Sequence, residues 1–175
     1  MILSALQEYG VRCLLQLAKQ PLGHPMTVRE VAEAEGLSTD YVEKILNHLK
    51  GEGLTISIRG ANGGYLLSHP PNEITLAEAL QALGGVLYGR GFCDRFPGLK
   101  DECNHLTNCG IRPVWAFITR EIFRVLSHTT LADFLGEEAA VVHTLHQQRL
   151  NNTESGKWRT PARGGSASGG ENGSH

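Results

Sequence analysis

The chain has no apolar run approaching the roughly 18 to 20 residues that a membrane-spanning helix requires, so a transmembrane reading is excluded. It has no basic leader and no small-residue cleavage site. The opening MILSALQEYGVRCLLQLAKQ reads as an amphipathic helix rather than a signal peptide, and a cytoplasmic protein is expected. Nor is there an excess of positive charge. Sixteen Lys and Arg against 18 Asp and Glu give a net charge of −2, and residues 1–70 alone hold six basic and seven acidic residues, a sum of −1. Net charge therefore gives a nucleic-acid partner no support. Such a partner would need basic residues gathered on one surface and a second copy to double the contacts. No CxxC pair is present, and no Cys/His/Asp set sits on a recognisable catalytic framework, which argues against an enzyme.

Cysteine is scarce as well, with four in 175 residues, yet three of them fall in CDRFPGLKDECNHLTNC, residues 93–109. In a reducing compartment, clustered thiols more often bind metal or carry redox chemistry than form structural disulfides. Thiolates are soft ligands suited to iron–sulfur clusters and to zinc. Nine residues separate Cys93 from Cys103 and five separate Cys103 from Cys109. Three cysteines leave one ligand position open, because such clusters usually take four. The fourth cysteine, Cys13, lies on the apolar stripe of the first helix and reads as a small buried hydrophobe.

The remaining chain has 41% hydrophobic residues, enough to build a core. Leu6, Gly10, Cys13, Leu14, Leu17 and Ala18 recur at spacings of three and four and predict a helix over 4–19. Thr27 and Glu30 form a capping box for a second helix, and Gly36 suits its left-handed C-cap. Ser38 is a natural N-cap for a third helix, with Val42, Ile45, Leu46 and Leu49 inward. Two helices joined by a short Gly-containing turn predict a helix-turn-helix. The period then changes: LTISIRGANGGYLLS sets Leu54, Ile56 and Ile58 against Thr55, Ser57 and Arg59 around a permissive turn, which predicts a two-stranded wing. A capping box at Thr75 and Glu78 opens TLAEALQAL. Pro113 fits the first turn of VWAFITREIFRVLSH, whose stripe of Val114, Trp115, Ile118, Ile122, Val125 and Leu126 points to packing against a second copy. TTLADFL reads as a short capped helix and EEAAVVHTLHQQRL as one more. The fold class is thus mainly α with a small β-wing: a winged helix-turn-helix plus a long C-terminal dimerisation helix. The expected organisation is a DNA-binding domain over 1–72, a cysteine loop and dimerisation helices over 73–150, and a disordered tail over 151–175. In that tail Lys157, Arg159 and Arg163 are either phosphate contacts or simply solvated.

YVEKILNHLKGEGL, RGANGGYLLSHPP, ITLAEAL and a cysteine loop followed by VW together resemble the Rrf-two family of bacterial winged-helix regulators, over about residues 1–135. The resemblance implies a homodimer on a pseudo-palindromic operator. In the cysteine-bearing IscR-like and NsrR-like members it also implies an iron–sulfur cluster that changes DNA affinity. The expected function is a transcription regulator, more specifically a repressor. Structural zinc held with His105, or a metal-free thiol or small-molecule sensor, is the alternative. Whether the cluster has two or four irons stays open.

In a helix-turn-helix the N-terminal residues of the second helix meet base edges. Here these are Ser38, Thr39, Asp40, Tyr41, Glu43, Lys44 and Asn47. Glu43 can accept from cytosine N4, and the resemblance supports Tyr41 and Glu43 in particular. Arg59 at the wing suits a minor groove or a phosphate, and Lys44 and Lys50 suit phosphates. Among the cysteines, the second gap matches the family and the first is longer by four residues. IscR-like members place a histidine where this chain has Arg112. NsrR-like members use a carboxylate on the partner's first helix, and Glu8, before YGVR, occupies that position. The expected ligands are therefore Cys93, Cys103, Cys109 and Glu8, with His105 as the rival to Glu8.

Overall fold

The structure is a computed structural model of the 175-residue chain. It describes residues 3–21, 23–60, 63–85, 93–95, 98–99, 102–105 and 107–155, the side chains only as far as 147. Helices α1 (Ala5–Ala18), α2 (Val28–Glu35) and α3 (Thr39–Gly51) lead into strands β1 (Thr55–Ile58) and β2 (Gly64–Leu67). Helices α4 (Leu76–Ala82), α5 (Arg112–Ser127) and α6 (Glu138–Ser155) follow, with short 3₁₀ turns at Cys93–Arg95 and Leu131–Phe134.

Local chemistry sets most of these boundaries. Reciprocal capping boxes open α2 (Thr27 with Glu30) and α4 (Thr75 with Glu78), as the spacing predicts. A third box, Ser4 with Gln7, opens α1: the Gln7 N–H donates to Ser4 Oγ at 3.2 Å and the Ser4 N–H to Gln7 Oε1 at 3.0 Å. Gly36 ends α2 in the left-handed region at φ +67°. Ser38 caps α3 by accepting from the Tyr41 N–H. Pro113 falls at the second position of α5 rather than the first, since that helix begins at Arg112. Helix α6 runs to Ser155, past the Asn151 point at which composition places the tail, whereas Lys157, Arg159 and Arg163 lie outside the described residues.

One core joins α1, α2, α3, the hairpin and α4. Cys13, Leu14, Val31, Val42, Ile45, Leu46 and Leu49 are fully buried in it, with Leu83 and Leu131 closing its far end. Burying each leucine or isoleucine stabilises the fold by roughly 1.5–3 kcal/mol. The predicted stripes of α1 and α3 are the faces that pack.

The hairpin departs from the expected alternation. Its register pairs Thr55 with Leu67 and Ser57 with Tyr65. Leu54 and Thr55 are buried, the Thr55 hydroxyl donating to the Leu46 carbonyl at 3.2 Å, while Ile56 and Ile58 stay 43% and 45% exposed. The face of the hairpin that meets the core carries Thr55 and Tyr65, so Ile56 and Ile58, on the alternate positions of β1, lie on the opposite face. Met26 adds a single antiparallel bridge to β2 at Tyr65, with N–H···O bonds of 2.9 and 2.8 Å. The adjacent glycines serve close approach more than left-handed turning: a Cβ on Gly64 would lie 2.3 Å from the Met26 carbonyl oxygen, and one on Gly63 2.3 Å from that of Ile58.

Helix α5 buries none of its residues within the chain. Val114, Trp115, Phe117 and Val125 are 39–55% exposed. After α5 the backbone returns to the body, where the Leu76 N–H donates to Thr129 O and the Leu131 N–H to Ile74 O.

Candidate nucleic-acid interface and thiol loop

Helix α3 is held on two sides and open on a third. Its apolar face is core, its last turn is tied to the end of α4 by the His48 ring, which donates to the Ala82 carbonyl at 2.8 Å, and its outer face carries the predicted contacts. Ser38, Thr39, Glu43, Lys44 and Asn47 are exposed on that outer surface, as is Lys50. Arg59, just past β1, is exposed beside Gly60 at φ +115°. Three of the predicted residues also hold internal partners. The Ser38 hydroxyl is engaged as the N-cap. Tyr41 is half-buried rather than free, its ring meeting Tyr9 of α1 edge-on with centroids 6.0 Å apart. Asn47 Oδ1 accepts from the Tyr65 hydroxyl of the wing at 2.8 Å. Burial, with the Glu43 carboxylate nearby, pushes the Tyr65 phenol above its ordinary value and keeps it a donor.

Sequence reasoning missed the support behind Tyr41. Arg12 lies over the Tyr9 ring, 5.5 Å from its centroid, a cation–π arrangement. Its Nε donates to Glu35 at the end of α2, and Gln16 donates to the other oxygen of the same carboxylate. The Glu35 side chain is only 6% exposed. Burying a carboxylate is costly unless its oxygens are hydrogen-bonded, and here α1 supplies a partner for each. The helical spacing of Tyr9, Arg12 and Gln16 along one edge of α1 was the available signal.

The thiols separate into two environments. Cys13 is fully buried, and burial, then the Glu35 carboxylate, pushes its pKa up to about 12. Cys93, Cys103 and Cys109 are half-exposed, and all four cysteines are free thiols. Among the described residues no three Cys, His, Asp or Glu side chains converge as a metal-ligating group, so one chain alone does not bring the loop cysteines together with Glu8 or His105. Glu8 is exposed on α1 beside Tyr9. The Arg112 guanidinium donates to the His105 carbonyl at 3.2 Å and ties the loop to the start of α5.

Residues 3–137 match the Rrf2 family, described as iron-dependent transcriptional regulators. The chain belongs to the Rrf2 family. Protein rrf2 of Nitratidesulfovibrio vulgaris strain Hildenborough is 30% identical over 139 residues, covering 77% of this chain and 87% of that protein. IscR of T. potens superposes with a TM-score of 0.61 at 30% identity, over 77% of this chain and 86% of that one. CymR, the global cysteine regulator of B. subtilis, superposes with a TM-score of 0.58 at 27% identity, over 77% and 96%. The fold is the winged-helix arrangement of these Rrf2 regulators, and the protein is a DNA-binding transcription regulator rather than an enzyme. No helix among the described residues is long and apolar enough to cross a membrane.

Proposed function

We propose that this Rrf2 regulator is a homodimeric repressor of a pseudo-palindromic operator, its DNA affinity set by an iron–sulfur cluster that reports redox, nitric-oxide or iron status. The observation that carries this reading is the partition of the thiols. Three free, half-exposed cysteines precede the unburied helix α5, while the fourth is sealed in the core. The donor set suits the group: three soft thiolates from one loop, and a carboxylate on a helix that a second copy can present. Cys93, Cys103 and Cys109 would hold the cluster, with Glu8 of the partner subunit as fourth ligand and His105 as its rival. When bound, the cluster supplies a centre whose ligation responds to oxidants, nitric oxide and iron loss.

The protein's own residues carry the rest. Glu8 adjoins Tyr9, whose ring packs on Tyr41 at the start of α3. A shift of α1 at Glu8 would therefore reach the reading helix through this aromatic contact as well as through the shared core, while the Arg12–Glu35 clasp ties α1 to α2. Ser38, Thr39, Tyr41, Glu43, Lys44 and Asn47 would face the major groove and Arg59 the minor groove or a phosphate. Support for the second copy lies along α5. A groove of about 580 Å³ is lined by Ala116, Thr119 and Phe123 together with Arg120 and Arg124. The Thr119 hydroxyl there is shielded and has no partner among the described residues. The units 1–72, 73–150 and 151–175 would then serve DNA reading, sensing with dimerisation, and a tail.

Anaerobic purification followed by absorption spectroscopy with iron and sulfide analysis tests the reading. Visible charge-transfer bands lost in Cys103→Ala and altered in Glu8→Ala are expected. A colourless protein without iron or sulfide, even after reconstitution, would overturn the cluster. The likeness to CymR, a cysteine regulator, favours a thiol or small-molecule sensor without metal in that case, and the same fold with structural zinc is the remaining alternative.

A further inference from the structure

The wing tyrosine sits behind the reading helix and takes hold of one of its predicted base-contacting side chains. Tyr65 is 9% exposed, with its backbone clamped between Met26 and Ser57. Its hydroxyl donates to Asn47 Oδ1 at 2.8 Å. Asn47 is exposed and lies one helical turn beyond Glu43 on the same face of α3. A free asparagine offers an acceptor oxygen and a donor NH₂ side by side, and that fork matches the N6–H and N7 of adenine. The Tyr65 hydroxyl takes one of the two lone pairs of the Asn47 oxygen and leaves both hydrogens of its NH₂ outside this bond.

We propose that Tyr65 is a specificity-determining positioning residue: by occupying Asn47 Oδ1 it presents Asn47 to DNA as a donor only, so that Asn47 selects a guanine acceptor edge (O6 or N7) over adenine. The inference rests on α3 being the DNA-reading helix. The phenol suits the task because a tyrosine hydroxyl is protonated near neutral pH, and burial beside Glu43 shifts it further in that direction. Its place in the chain also suits it. The Gly64–Met26 approach fixes the β2 backbone one residue before Tyr65, so the hydroxyl is delivered at a set height against α3.

The test is selection from a pool of randomised duplexes with the full-length chain, followed by sequencing, for wild type, Tyr65→Phe, Asn47→Asp and Asn47→Ala. Wild type should prefer guanine over adenine at one position per half-site by roughly five- to tenfold, the low end for a good base contact. Asn47→Ala should erase that preference and leave the others. Asn47→Asp keeps the acceptor for Tyr65 but replaces the outward donor with an acceptor, so cytosine should rise at that position. Tyr65→Phe keeps the ring and its packing but frees Oδ1, so adenine should rise towards parity with guanine. A merely structural Tyr65 would lower affinity for all duplexes without moving one base preference. Adenine favoured by wild type and lost in Asn47→Ala, an unchanged profile in Tyr65→Phe, or a uniform loss in Asn47→Ala that marks a phosphate contact would each overturn the proposal. If wild type enriches no duplex, the assignment of α3 to DNA reading fails first, and the inference falls with it.

Discussion

Replacing Gly64 with alanine probes how the wing is held to the body. The added Cβ would lie 2.3 Å from the Met26 carbonyl oxygen, 2.6 Å from its carbon and 3.0 Å from the Thr27 nitrogen. All three are backbone atoms and cannot swing aside. Carbon–oxygen contacts in sheets close to about 3.3 Å, so β2 and Met26 must separate by about 1 Å. That separation opens the two bridge hydrogen bonds between Met26 and Tyr65. At about 0.5–1.5 kcal/mol net for each bond, the expected loss is about 1–3 kcal/mol. For a chain of this size the Tm should fall by about 2–12 °C. Gly51→Ala is the matched control: its Cβ meets nothing within 4 Å, at the last residue of α3. It should be neutral or stabilising by up to about 1 kcal/mol. Urea titration by far-ultraviolet circular dichroism at equal protein concentration compares the two. Gly64→Ala unfolding at the wild-type midpoint, or Gly51→Ala losing as much, would refute the close-approach argument.

Iodoacetamide at pH 8, applied to native protein stripped of metal, should add rapidly to Cys93, Cys103 and Cys109. Cys13, its pKa pushed up to about 12, should react only in denaturant, and a fourth native adduct at a similar rate would contradict its burial. Val125→Glu places a charge on a 55% exposed position of α5, so secondary structure should survive while sedimentation shifts from dimer to monomer. An unchanged sedimentation coefficient would remove α5 from the interface. Thr75→Ala should cost about 0.5–2 kcal/mol near neutral pH through loss of the α4 cap. The Thr75 hydroxyl and N–H hold the Glu78 carboxyl below its ordinary 4.5, so their contribution is present above that value and lost as pH falls through the lower folded one. The gap between wild type and Thr75→Ala should narrow below about pH 4.5, and a pH-independent gap would show that Glu78 takes no part.

The helices were legible because their signals are local. Thr27, Gly36, Ser38 and Thr75 each specify a boundary through their own backbone neighbours, and the buried stripes of α1 and α3 follow from spacing alone. The Ser4–Gln7 box was equally readable as S-x-x-Q and was missed. The hairpin was legible as a hairpin but not by face: Ile56 and Ile58 look like core in sequence, yet it is the alternate face, that of Thr55 and Tyr65, that packs against the body. Tertiary partners were not legible. Nothing near Asn47 announces Tyr65, and nothing near Tyr41 announces Tyr9, because both contacts depend on how elements cross. For the thiol loop the sequence supplied the chemistry of the donors, while their convergence depends on partners that spacing does not specify.

Helix α5 has Pro113 in its first turn but lacks the side-chain cap that marks α1, α2, α3 and α4. Ile111 precedes it in a helical conformation, with no side-chain cap. Where α1, α2 and α4 have their starting points written into two side chains each, the start of α5 is written by whatever orders the loop before it. That leaves this junction tolerant of drift. A lineage can lengthen the spacing between Cys93 and Cys103, nine residues in this chain, without respelling any helix boundary. Variation between members of such a lineage should therefore accumulate there as insertions and deletions, while the capped helices change by substitution alone.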